Sequence, residues 1–109
     1  MPLDPAAAER LADLEDLHAD EPEDALTAFL LATEYAKAGL HAQALPVFEA
    51  AIIADPGYSA ASAGVGQCLE ALGRMDEARA AWSATAALAT LKGDHMVAKQ
   101  ADAAVKRLG

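Results

Sequence analysis

Apolar residues recur three and four positions apart along this chain, the period of an amphipathic helix. Leu11, Leu14 and Leu17 share one face with Ala7 or Ala8 a turn earlier, and Asp4-Pro5 pairs a capping carboxylate with a proline suited to the first helical position. A first helix is therefore predicted over about 5–18. The run HADEPED breaks it. Pro22 is read as opening a second helix that carries Leu26, Phe29, Leu30, Leu31 and Tyr35 until Gly39 stops it. A third helix is expected over 41–54, ending before Asp55-Pro56. Pro46 lies inside it, close enough to the start that the usual interior cost of about 3 kcal/mol is reduced. Ser59 is read as the N-cap of a fourth helix that ends at Gly73. The fifth spans about 75–91, with Asp76 and Glu77 in the first turn, where the helix dipole favours acid. Gly93-Asp94 stops it and caps a sixth, whose stripe is Val97, Ala101, Ala104, Val105 and Leu108. The turns are short, so neighbouring helices should run antiparallel.

A longer period overlies the helical one. Gly39 and Gly73, Ala44 and Ala78, and Phe48 and Trp82 each stand 34 residues apart, as do Leu31 and Val65, Ala32 and Gly66, and Tyr35 and Leu69. Each group falls on one helical face. Small residues at 32 and 66 would face small residues at 44 and 78 across each hairpin, bringing paired helices to the short end of the usual separation of about 8–10 Å.

Composition agrees with helices only. Thirty of the 109 residues are Ala, while Val, Ile and aromatic residues are few, which favours helix over strand. One domain is expected. The net charge of −9 is concentrated at the start: residues 1–24 hold nine acidic side chains against Arg10, and the remainder is nearly neutral. Without a clustered basic face, nucleic acid is not an expected partner. The first two dozen residues have neither a basic segment followed by an apolar run nor a membrane-length apolar stretch. A cytoplasmic protein with no membrane partner is the expectation, and the single cysteine agrees with a reducing compartment.

The repeated pattern resembles the tetratricopeptide repeat, and small bacterial-type proteins of that family in particular. Its first helix carries a large residue, a small one and then an aromatic or apolar one, here Leu31-Ala32-Tyr35 and Val65-Gly66-Leu69. Its second carries Ala, an aromatic, a small residue and a closing Pro, here Ala44, Phe48, Ala51 and Pro56, then Ala78 and Trp82 with Thr85 and Thr90 departing from the pattern. The family's first-helix Trp is replaced by Ala28 and Ser62. The resemblance implies an all-α antiparallel helical hairpin array of about six helices, wound as a right-handed superhelix. It implies one domain over 1–109: a half-repeat helix at 5–18, repeats at 25–58 and 59–92, and a capping helix at 94–108.

No catalytic constellation emerges. His18, His41, His95 and Cys68 lack metal-ligand spacing. Cys68, beside the core residue Leu69, reads as an inert buried thiol. Gly64-Val65-Gly66 sits within a helix with no preceding strand, which suits packing and not a phosphate loop. The serines lack the context of an activated nucleophile, and the acidic run from Asp13 to Asp24 lacks the glycine turn of a calcium loop. No cofactor, metal or enzymatic activity is expected. The resemblance instead implies a concave groove lined by Leu26, Phe29, Thr33 and Lys37 from the second helix and Ala60, Ala63 and Gln67 from the fourth, with Glu70 beyond them. These side chains are not the basic and Asn set that clamps acidic C-terminal tails in some family members. Phe29 is the largest apolar residue directed inward, either as a groove wall or as core beneath the first helix. The expected function is a protein interaction module that binds a peptide or helix of another protein. The alternative is a self-associating unit, a homodimer burying the exposed flank of the first or sixth helix.

Overall fold

The computed structural model describes residues 3–109. Six helices follow in order: α1 Pro5–Asp20, α2 Ala25–Lys37, α3 His41–Ala54, α4 Ser59–Ala71, α5 Met75–Lys92 and α6 His95–Leu108. No strand occurs among the described residues. Each helix packs on its sequence neighbour, and α2 also touches α4 as α4 touches α6. The odd-numbered helices make no such contacts with one another. The even helices therefore form the inner layer of a curved array, and the odd ones splay on its outer side.

Local chemistry accounts for the stops. Gly39, Gly73 and Gly93 have φ of 79°, 76° and 73°. At each, the next residue's N–H returns to a carbonyl five positions back: Leu40 to Tyr35, Arg74 to Leu69 and Asp94 to Ala89. A left-handed residue closing the helix with this bond is the Schellman stop, and glycine adopts it without a Cβ penalty. At the entries, Asp4 accepts from the N–H of Ala7 and Asp24 from that of Leu26.

Two predicted starts are corrected. Pro22 does not begin α2. It stands in a turn closed by the Asp24 N–H on the Glu21 carbonyl, and Asp24 is the N-cap. The same turn recurs at Asp55-Pro56-Gly57-Tyr58, where the Tyr58 N–H meets the Asp55 carbonyl. Proline's fixed φ suits the second position of such a turn as well as a first helical position. Ser59 is likewise no N-cap: it is the first residue of α4, and its hydroxyl bonds to Asp94 Oδ2 at 2.7 Å, joining the starts of α4 and α6.

The core explains the small residues. Ala28, Ala32, Ala44, Ala51, Ala61, Ala78, Ala89 and Ala101 are wholly buried. The Phe48 ring lies so close to Gly64 that a methyl group added there would stand 2.5 Å from it, and the Trp82 ring would meet one on Gly66 at 2.7 Å. Each large ring thus occupies space that a glycine vacates on the facing helix. Thr85, where the repeat pattern expects a smaller residue, is fully buried, and its hydroxyl bonds to the Ala81 carbonyl at 2.8 Å and to Ser62 at 2.6 Å. Its polarity is therefore satisfied. Trp82 donates its indole N–H to Glu70 Oε2 at 2.6 Å, and Arg107 pairs with the same carboxylate, tying α6 to the α4–α5 hairpin.

A candidate peptide-binding groove

The inner layer encloses an open cavity of about 460 Å³. Its walls come from α2 (Phe29, Thr33, Ala36 and Lys37), α4 (Ala60, Ala63, Gly64, Gln67 and Cys68) and α6 (Val97 and Gln100), with His41 and Phe48 of α3 completing them. Of the seven side chains assigned to a groove from the sequence, Phe29, Thr33, Lys37, Ala60, Ala63 and Gln67 line this cavity. Leu26 does not. It is 56% exposed, one turn before Phe29 at the start of α2. Glu70 is also elsewhere, bound to Trp82 and Arg107.

Phe29 has both of the roles its sequence position left open. It is partly buried and packs against the core. Its ring stacks on Tyr58 at a centroid distance of 5.0 Å and meets Phe48 edge-on at 5.9 Å. These are favoured aromatic geometries. They hold the ring rigidly while part of it remains on the cavity wall. Thr33 turns its hydroxyl back to the Phe29 carbonyl at 2.8 Å, so its methyl group is left for the cavity. Gln67 and Gln100 are exposed and retain free amides; Lys37 lies 3.7 Å from Glu34. His41 Nδ1 is buried without a hydrogen-bond partner.

Burial raises the Cys68 thiol above its ordinary value, which disfavours the thiolate that nucleophilic chemistry needs. Tyr58 is raised by burial and by the nearby carboxylates of Asp55 and Asp24, so its phenol stays neutral. No cluster of three potential metal ligands occurs among the described residues. No helix among them is long and apolar enough to cross a membrane.

The sequence reading missed the contribution of α6. Val97 was recognised as part of the α6 stripe, and Gln100 lies three residues after it on a neighbouring face, yet the stripe matches the repeat only after a one-residue shift. The period therefore did not project these residues toward α2 and α4.

The model of the tetratricopeptide repeat matches residues 29–95, more than half of the chain. The chain belongs to the tetratricopeptide repeat family. Among solved structures, this repeat protein is similar to protein BPP2914 from Bordetella parapertussis at 34% identity. That match covers 90% of this chain and 85% of the other, with a TM-score of 0.79. A tetratricopeptide repeat domain protein from Salinibacter ruber is 27% identical, covering 81% and 89% of the two chains with a TM-score of 0.71. PcrH, in complex with the chaperone binding region of PopD, shares the fold at a TM-score of 0.89 with 20% identity, covering 94% of this chain and 78% of PcrH. No curated protein matches the chain. Proteins of this family are generally non-catalytic interaction modules, and the fold supports that class of function here.

Proposed function

We propose that this repeat protein binds a peptide segment of another protein in the cavity between α2, α4 and α6. The observation that carries this reading is the rigid, partly exposed Phe29 ring beside unpaired side-chain amides. An aromatic anchor held by its own neighbours loses little freedom on binding, and exposed amides such as those of Gln67 and Gln100 suit the unpaired backbone groups of an extended peptide. PcrH, built on the same fold, is seen with a region of PopD. On this reading, residues 25–58 and 59–92 are the two repeats, 5–18 a half-repeat helix and 94–108 a cap, and the protein acts in the cytoplasm.

A photo-reactive amino acid at Gln67 would capture the occupant from lysate, and mass spectrometry would identify the crosslinked peptide. Filling the cavity by Ala60→Trp should abolish capture while leaving helicity unchanged. Capture that is indifferent to a filled cavity would overturn the proposal.

A further inference from the structure

The outer side of the array carries a second concavity. Where the turn between α1 and α2 meets the end of α3, Pro22, Glu23, Ala50, Ile53 and Ala54 line an open cleft of about 450 Å³. It shares no residue with the groove. Ala50, Ile53 and Ala54 lie about 120–160° around α3 from Phe48 of the groove wall, at an advance of about 100° per residue. The two sites therefore open on opposite sides of that helix. The odd-numbered helices do not touch, which leaves the ends of α1 and α3 apart and Ile53 83% exposed between them.

The rim of this cleft is acidic. A second hollow, formed by Asp20, Glu21, Pro22, Glu23 and Asp24, adjoins it through Pro22 and Glu23. Asp24 is engaged by the N–H of Leu26 and the hydroxyl of Thr27. Asp20, Glu21 and Glu23 are exposed, and among the described residues no cation pairs with them. The repeat itself shows what such a turn accepts. At the corresponding turn, Asp55-Pro56-Gly57-Tyr58, closed by the same backbone bond, the chain's own Lys92 reaches over from the end of α5. A Cβ placed on Gly57 would stand 2.8 Å from Lys92 Nζ and 3.6 Å from Asp55 Oδ1. In the repeat frame Lys92 corresponds to Tyr58, whose ring stacks on Phe29 instead. The first turn thus holds more acid than the second and lacks its lysine.

We infer that the outer cleft docks a segment of a partner protein in which an apolar residue adjoins Lys or Arg. The apolar side chain rests on Ile53 and the two alanines, and the cation meets Glu21 and Glu23. A second copy of the chain is a poor occupant, because a two-fold axis through the cleft would set one acidic turn against the other. The probe is a labelled hexapeptide of alternating Leu and Lys, read by fluorescence anisotropy and by NMR of the isotope-labelled full chain. Amide shifts should cluster at residues 20–24 and 50–55, leaving the side-chain amides of Gln67 and Gln100 unmoved. Affinity should fall as salt rises, and a peptide with Glu in place of Lys should not bind. Ile53→Ser should weaken binding by about tenfold, the scale of one large apolar contact. Glu21→Gln/Glu23→Gln should slow association and flatten its salt dependence. All three side chains are exposed, so circular dichroism should remain that of the parent. Ala60→Trp, which fills the groove, should leave this binding unchanged, so the two proposals fail separately. Shifts centred on the groove, equal binding of the Glu peptide, indifference to Ile53→Ser, or loss on filling the groove would each overturn the inference. So would a dimer, seen by light scattering, that Ile53→Ser converts to monomer.

Discussion

Adding one methyl group at Gly64 tests the packing argument on which the groove depends. Its new carbon would stand 2.5, 2.6 and 2.7 Å from three carbons of the Phe48 ring. Carbon atoms prefer about 3.5–4.0 Å, so the ring must retreat by about 1 Å. Phe48 is only 3% exposed and is held edge-on by Phe29, which leaves it nowhere to go cheaply. Overpacking of this kind costs up to about 3 kcal/mol. Alanine's better helix propensity returns about 1 kcal/mol, and Gly64→Ala should thus be destabilising by about 2 kcal/mol net. Urea denaturation followed by circular dichroism measures this directly. A double-mutant cycle isolates the cause: in a Phe48→Leu background the same substitution should be neutral or stabilising, giving a coupling of about 2–3 kcal/mol. Because Phe48 and Gly64 both line the cavity, peptide capture at Gln67 should fall in Gly64→Ala and recover in part in the double variant. A Gly64→Ala protein as stable as the parent, or more so, would refute the claim that this glycine makes room for a ring.

Phe29→Ala should weaken peptide capture by about 2 kcal/mol or more, as expected for an aromatic anchor. It should also lower stability by about 1–3 kcal/mol, because the ring stacks on Tyr58 as well as lining the groove; unchanged capture per folded molecule would remove Phe29 from the site. Arg107, and secondarily Trp82, hold the Glu70 carboxyl below its ordinary value of 4.5 against an opposing effect of burial. Its contribution to stability is therefore present above pH 4.5 and is lost as pH falls through the lower folded value. Urea midpoints of the parent and of Glu70→Gln should converge across that acid range, and a gap that persists undiminished would show that the ionised carboxylate is not responsible. Cys68, 1% exposed with its thiol raised by burial, should react with iodoacetamide far more slowly than in urea; equal rates would show that the α4 wall opens readily.

The six helices, their stops and their antiparallel order are legible in the sequence because each rests on local chemistry. Gly39, Gly73 and Gly93 end helices through φ values that glycine adopts readily, and the 34-residue period shows which faces pair. Pro22 and Ser59 were misread for the same physical reason: the residue type suits two neighbouring positions. For Pro22 the backbone bond from Asp24 to Glu21 selects the turn, and for Ser59 a partner 35 residues away, Asp94, captures the hydroxyl. The groove divides similarly. Phe29, Thr33, Ala60, Ala63 and Gln67 could be placed from the repeat because they recur on the inner faces of corresponding helices. Leu26 shares their strip of α2, yet it lies exposed near the start of the helix and outside the cavity. Tyr58, which fixes the Phe29 ring, lies in a turn where helical periodicity has no reach, and Val97 and Gln100 arrive on a helix whose stripe is one residue out of phase. Only the tertiary structure brings such residues together, because their proximity depends on how α2, α4 and α6 curve around a shared interior and not on any spacing along the chain.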